Sequence, residues 1–167
     1  MSSISEIKSI ATSSANLSDL YEQDYYAWIE GTIDRLKHSQ LTLNQSNVDV
    51  DWSHLLEELE DLSKRQRREL LNRLRVLLMH LLKWKYQPTE LPYRGQGWLS
   101  TIVEQRSQLE GLLEDSPSLR SILDQDWTIV YERAVRDACK ETGLDSAVFP
   151  KTCLFTIVEV LNPNFLP

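Results

Sequence analysis

The chain has 167 residues and a formal net charge of −7, a length that suits one domain burying roughly 70% of the surface its unfolded chain exposes. The acidic balance disfavours a broad nucleic-acid surface, which needs clustered Lys and Arg to displace counterions, and leaves room only for a local basic strip. The longest uninterrupted run of Val, Ile, Leu or Met is Val76 to Met79, far short of the roughly 20 residues that span a bilayer, so no membrane partner is expected.

No apolar core of a secretory signal is visible, and the cytoplasm is the expected location. Cys139 and Cys153 lack a CxxC spacing and read as free thiols. Residues 1–15 are Ser-rich with little periodicity and read as a flexible N-terminal tail, leaving 16–167 as a single all-helical domain. Asn16 or Ser18 is placed to cap a first helix from Leu20 to about Leu36. Its face carries Tyr21, Tyr25, Trp28, Ile29, Thr32 and Leu36, with Gly31 as a tolerated weak point. Gln40 to Val50 holds three Asn or Asp residues and no helical pattern, and reads as a linker.

The strongest pattern lies at Leu70, Leu71, Leu74, Leu77, Leu78, Leu81 and Leu82, a wide helical stripe. Leu55, Leu59 and Leu62 stay in phase with it, which predicts one central helix over about 52–86, roughly 50 Å long at 1.5 Å per residue. Pro88 and Pro92 end that helix, and Gly95 with Gly97 make the connection irregular. A further helix is predicted from Trp98 to about Glu114. Ser116 and Pro117 form an N-cap and first-turn pair for the next, which runs to Thr142 and stops at Gly143. Its stripe includes Leu119, Ile122, Leu123, Trp127, Val130 and Tyr131. Thr156 to Leu161 forms a short closing helix despite β-branched Ile157 and Val158. No period of 20 to 50 residues repeats, so a solenoid is not expected. The expected fold is an all-α, single-domain bundle around the long helix.

Several segments are similar to a known family: Leu20 to Trp28 (LYEQDYYAW), Leu56 to Leu59 (LEEL), His80 to Pro88 (HLLKWKYQP), Thr101 to Arg106 (TIVEQR), Asp115 to Leu119 (DSPSL) and the closing Leu161 to Pro167 (LNPNFLP). On these motifs the chain, from Leu20 to Pro167, closely resembles the domain of unknown function family 29, found widely in cyanobacteria and other bacteria. The resemblance implies an almost wholly helical domain and carries no established activity. Ser63 stands where the family often has Gly, which removes one reason for a helix break there.

Among residues able to do chemistry, His80 comes first, because histidine titrates near neutral pH and serves as base or metal ligand. It lies beside Trp84 and Arg73 at the margin of the apolar stripe, where a boundary histidine bonded to a neighbour is the favoured reading; without companion ligands it is not expected to bind metal. Glu57 and Glu58 are its obvious companions. On a continuous helix, however, Glu58 and His80 stand roughly 33 Å apart, and only a turn near Ser63 and Lys64 would bring them together. Arg106 sits within the inward face made by Trp98, Ile102, Leu109, Leu112 and Leu113. A guanidinium there cannot deprotonate and must be met by a carboxylate or by backbone carbonyls. The expectation is a buried Arg106 bonded to at least one carboxylate, with Asp24, Glu57, Glu58 and Asp126 as candidates and a structural, register-fixing ion pair favoured over an anion site.

The run Lys64-Arg65-Gln66-Arg67-Arg68 reads as a solvated face partly paired with Glu60 and Asp61 at i,i+4. The tryptophans fall on or beside apolar stripes, Trp52 being the one placed to be exposed. No GxSxG elbow, metal cage or phosphate loop is present, so no cofactor and no metal is implied. The reading that follows is a noncatalytic protein-binding or regulatory module, its partner the same chain or another protein. The rival is a small enzyme or anion or ligand binder with a site between helices around Asp24, Glu57, His80, Trp84 and Arg106.

Overall fold

A computed structural model describes residues 16–43 and 50–167. These residues form six α-helices, three short 3-10 turns and no strand, as the periodicity requires. The N-terminal tail expected over residues 1–15 and the centre of the expected linker, residues 44–49, lie outside the described residues.

Helices α1 (Leu17–Gln23) and α2 (Tyr25–Leu43) divide what the periodicity predicts as one helix. The break is at Asp24, whose carboxylate accepts from the Ala27 amide at 3.0 Å. A short acidic side chain that satisfies an orphan N–H competes successfully with an extra helical turn. Asn16, not Ser18, caps α1. Gly31 turns out to be a point of close approach: a Cβ added there would lie 3.0 Å from a Leu17 methyl, so its absence lets α1 fold back on α2. Helix α2 also runs on to Leu43, into the segment read as linker.

Helix α3 (Trp52–Tyr86) is continuous over 35 residues. Asp51 caps its start through the His54 amide, and Lys83 and Lys85 suit the partial negative charge of its last turn. A turn at Pro88–Glu90 leads directly into α4 (Leu91–Asp115), which therefore begins well before Trp98. Pro92 stops nothing, because it occupies the first turn, where its missing N–H has no helical partner to lose. Gly95 lies within the helix and is buried against Trp84, 3.8 Å from the position a Cβ would take.

Ser116 and Pro117 open a short turn, Pro117–Leu119, before α5 (Arg120–Thr142), which Gly143 ends in the left-handed conformation at φ 73°. The expected cap is not made there. The Ser116 hydroxyl instead accepts from the Tyr26 amide at 3.1 Å, tying the start of α2 to the α4–α5 corner. Thr156 and Glu159 form a reciprocal capping box on α6 (Ile157–Leu161), which explains how so short and β-branched a helix holds.

Ser63 and Lys37 of the α2–α3 pair meet Glu30 and Glu60, so those helices run antiparallel. Arg67–Asp126, Arg75–Asp137 and Lys83–Glu141 show α3 and α5 running parallel, and α4 packs on α3 as well. The core collects Leu70, Leu74, Leu77, Leu78, Leu81 and Leu82 of α3 against Ile102 and Leu109 of α4 and Leu123, Val130 and Ala134 of α5. Only the second half of α3 reaches it. Before Leu70, α3 lies along α2 as an arm, and Ser63 is its one buried residue.

Candidate functional site

The unbroken course of α3 puts Glu57 and His80 23 residues apart, roughly 35 Å at 1.5 Å per residue. Glu57 is exposed in the arm. His80 is half-buried at the core end, its Nδ1 2.9 Å from the Val76 carbonyl. Since a carbonyl only accepts, Nδ1 carries the proton and Nε2 keeps its lone pair. Burial pushes the His80 pKa below 6.5, opposed by the Val76 bond; Lys83 lowers it further and Glu141 raises it. Trp84, one turn on, packs against the core beside Gly95.

Asp24 faces another part of the fold. Besides capping α2, it accepts from the Ser118 amide at 2.7 Å and the Ser118 hydroxyl at 2.8 Å, so one carboxylate clamps two helix starts together. Asp126, also polar on an apolar face, pairs with Arg67 at 2.6 Å.

Arg106 is buried, as expected, but its partner is not a carboxylate. The guanidinium donates to three backbone carbonyls: Nε to Val160 at 2.8 Å, one terminal nitrogen to Pro163 at 3.3 Å, and the other to Phe165 at 2.8 Å. The carbonyl at the end of the five-residue α6 and those of the turn after it would otherwise lack donors, and a planar fork satisfies three of them at once. Burial lowers the Arg106 pKa without threatening its charge. The residue is a clasp that holds the C-terminal segment onto α4.

Two features escaped the sequence reading. Lys83 is buried, its ammonium 2.6 Å from Glu141 and 5.1 Å from the centroid of the Trp98 ring. Its position one turn after buried Met79 was the available signal. The second is a pair of concavities on α5, one against α3 and one against the segment 146–151. One of about 310 Å3 is lined by Asn72, Arg75, Arg133, Arg136, Asp137 and Lys140. Another, of about 630 Å3, lies between α5 and the segment 146–151 and is walled by Tyr131, Val135, Phe149 and Pro150. Tyr131 donates to the Pro150 carbonyl at 2.7 Å, and burial together with Cys153 and Tyr86 pushes its pKa up to about 12. Trp52, placed by its sequence position to be exposed, is half-buried; its indole Nε1 is enclosed without a partner among the described residues.

Cys139 and Cys153 are free thiols, and burial raises the Cys153 pKa, which keeps that sulfur protonated and unreactive. Among the described residues no three His, Cys, Asp or Glu side chains converge as a metal-holding group, and no helix is long and apolar enough to cross a membrane.

The protein is thus an all-α bundle organised on one 35-residue helix, with Asp24 and Arg106 built into the scaffold. It belongs to the DUF29 family, the domain of unknown function whose family model matches residues 20–166. No curated protein and no solved structure matches the chain.

Proposed function

We propose that the domain is a noncatalytic binding module that acts by associating with protein, and that the arm formed by α2 and the first half of α3 is the surface it uses. The observation that carries this reading is the state of Trp52, Leu55, Leu56, Leu59 and Leu62: all belong to the apolar stripe of α3, none is buried, and Leu55 is 42% exposed. An apolar face left half-open in water gains free energy when a partner covers it.

The occupant that the charges favour is a second copy of the chain laid antiparallel along α3. Between Trp52 and Ser63 the charged residues are Glu57, Glu58, Glu60 and Asp61, whereas Lys64, Arg65, Arg67 and Arg68 follow. An antiparallel copy crossing near Ser63 would set each acidic stretch against the other's basic stretch, on an isologous two-fold axis. Candidate catalytic groups give the rival enzyme reading less support, because Asp24 and Arg106 spend their hydrogen bonds on the scaffold.

Sedimentation equilibrium tests the reading. A dimer is expected that weakens as salt rises and is lost in Leu55→Glu/Leu62→Glu. A monomer at high micromolar concentration in low salt, or a dimer indifferent to that double substitution, overturns it.

A further inference from the structure

The cleft between α3 and α5 has an unusual charge composition. Arg75, Arg133, Arg136 and Lys140 line it against one carboxylate, Asp137, and that carboxylate is already held by Arg75. Among the described residues Arg133, Arg136 and Lys140 make no ion pair. They stand at i, i+3 and i+7 on α5, so one stripe of the helix presents all three. In a chain of net charge −7, three unpaired cations converging on a concavity are not a by-product of composition. Their mutual repulsion is relieved by an anion.

The neighbouring groove is of the opposite character. Arg136 lines it too, with Glu132 and Lys151 at its edge, but its apolar walls are Tyr131, Val135, Phe149 and Pro150, and the Tyr131 hydroxyl is already bonded to the Pro150 carbonyl. At about 630 Å3 the groove lies in the range of small-molecule sites. A cationic cleft and an apolar groove thus adjoin through one arginine.

We propose that the two concavities form one site for a small organic phosphate, the phosphate resting on Arg133, Arg136 and Lys140 and the apolar or aromatic part lying in the groove. Phosphate suits the cleft better than a single carboxylate because it brings close to two negative charges and enough acceptor oxygens for two guanidinium forks and an ammonium. The length argues for a small ligand: Arg133 to Lys140 spans roughly 10 Å of helix, the reach of one or two phosphates. A long polyanion would meet the acidic remainder of the molecule. The site is separate from the Trp52–Leu62 arm, so it stands whether or not the chain self-associates.

Calorimetric titration of the full chain with inorganic phosphate, naphthyl phosphate and phosphatidic acid vesicles tests the proposal. Naphthyl phosphate is expected to bind at one equivalent and about tenfold tighter than inorganic phosphate, the ratio that burying part of an aromatic ring supplies. Arg133→Gln/Arg136→Gln, both at exposed positions, should abolish binding of both while leaving the melting curve in place. Ala147→Glu, at the exposed rim of the groove, should remove the advantage of the naphthyl compound and spare inorganic phosphate. Binding that survives the double substitution, equal affinity for the two phosphates, absence of binding, or binding to the vesicles alone would each overturn the proposal, the last by moving the phosphate to a lipid surface.

Discussion

The two halves of α3 share one leucine phase and fare differently in the fold. Trp52–Glu69 contributes Ser63 alone to the buried set, while Leu70–Tyr86 contributes Leu70, Leu74, Leu77, Leu78, Met79, Leu81, Leu82 and Lys83. Periodicity fixes which side of a helix is apolar. What fixes burial is the number of neighbours, and α4 and α5 close over the second half, whereas the first has α2 beside it. An identical leucine is therefore worth different amounts at different heights on the same helix.

The widest gap is expected between Leu74 and Leu56. Leu74 is fully buried, and Leu74→Ala should cost about 2–5 kcal/mol through lost transfer energy and the cavity left behind. Leu56 is half-buried, so Leu56→Ala should cost about 1 kcal/mol or less. Urea melts of the two variants check this, and equal losses would erase the distinction between the halves.

The core end also depends on the Arg106 clasp. Arg106→Ala leaves the Val160, Pro163 and Phe165 carbonyls without their donor and should cost about 2–3 kcal/mol, since hydrogen bonds to a charged group are the stronger kind. Arg106→Lys keeps the charge without the three-way fork and should recover part of that loss. A melting curve unchanged in Arg106→Ala would remove the clasp from the account of what holds this end together.

In the first half of α3 the one buried residue is Ser63, whose hydroxyl donates to Glu30 Oε1 at 2.5 Å. Ser63→Ala should cost about 1 kcal/mol. Amide exchange sharpens the contrast: amides of Leu70 to Leu82 should exchange near the global unfolding limit, those of Leu55 to Leu62 through local opening well below it.

The course of α3 was legible in the sequence because one unbroken stripe with no Gly or Pro leaves a helix few alternatives. The breaks were harder. Asp24 caps α2 locally through the Ala27 amide, but the contacts that hold it there come from Ser118, 94 residues away, and no local pattern announces those. The start of α4 was misplaced because Pro92 and Gly95 read as breakers until their positions, first turn and buried packing point, are known. The burial of Arg106 follows from its place on an apolar face, but its partners do not, because backbone carbonyls carry no residue-type signal. The α3–α5 cleft was invisible for a related reason. Arg75 and Arg133 become neighbours only once the two helices are known to run parallel.

The smallest expected effect compares the two histidines of α3, one in each half. His54, in the arm, is exposed and bonded to the Asp51 carboxylate at 2.5 Å, which raises its pKa above 6.5. His80, at the core end, is held below 6.5 mainly by burial. Their contributions to stability therefore run in opposite directions. The raised His54 adds stability that is present below pH 6.5 and is lost as pH rises through its folded value. For His80 the unfolded chain takes up the proton more readily, so stability is whole above pH 6.5 and declines as pH falls from there toward the folded value. Two-dimensional NMR titration should resolve one imidazole on each side of 6.5. In thermal melts, His80→Asn should flatten the loss of stability below pH 6.5, whereas His54→Asn should remove a loss that sets in as pH rises above 6.5. Two histidines titrating together would mean that the core end is as open to water as the arm, and the distinction between the halves of α3 would fail at its most sensitive point.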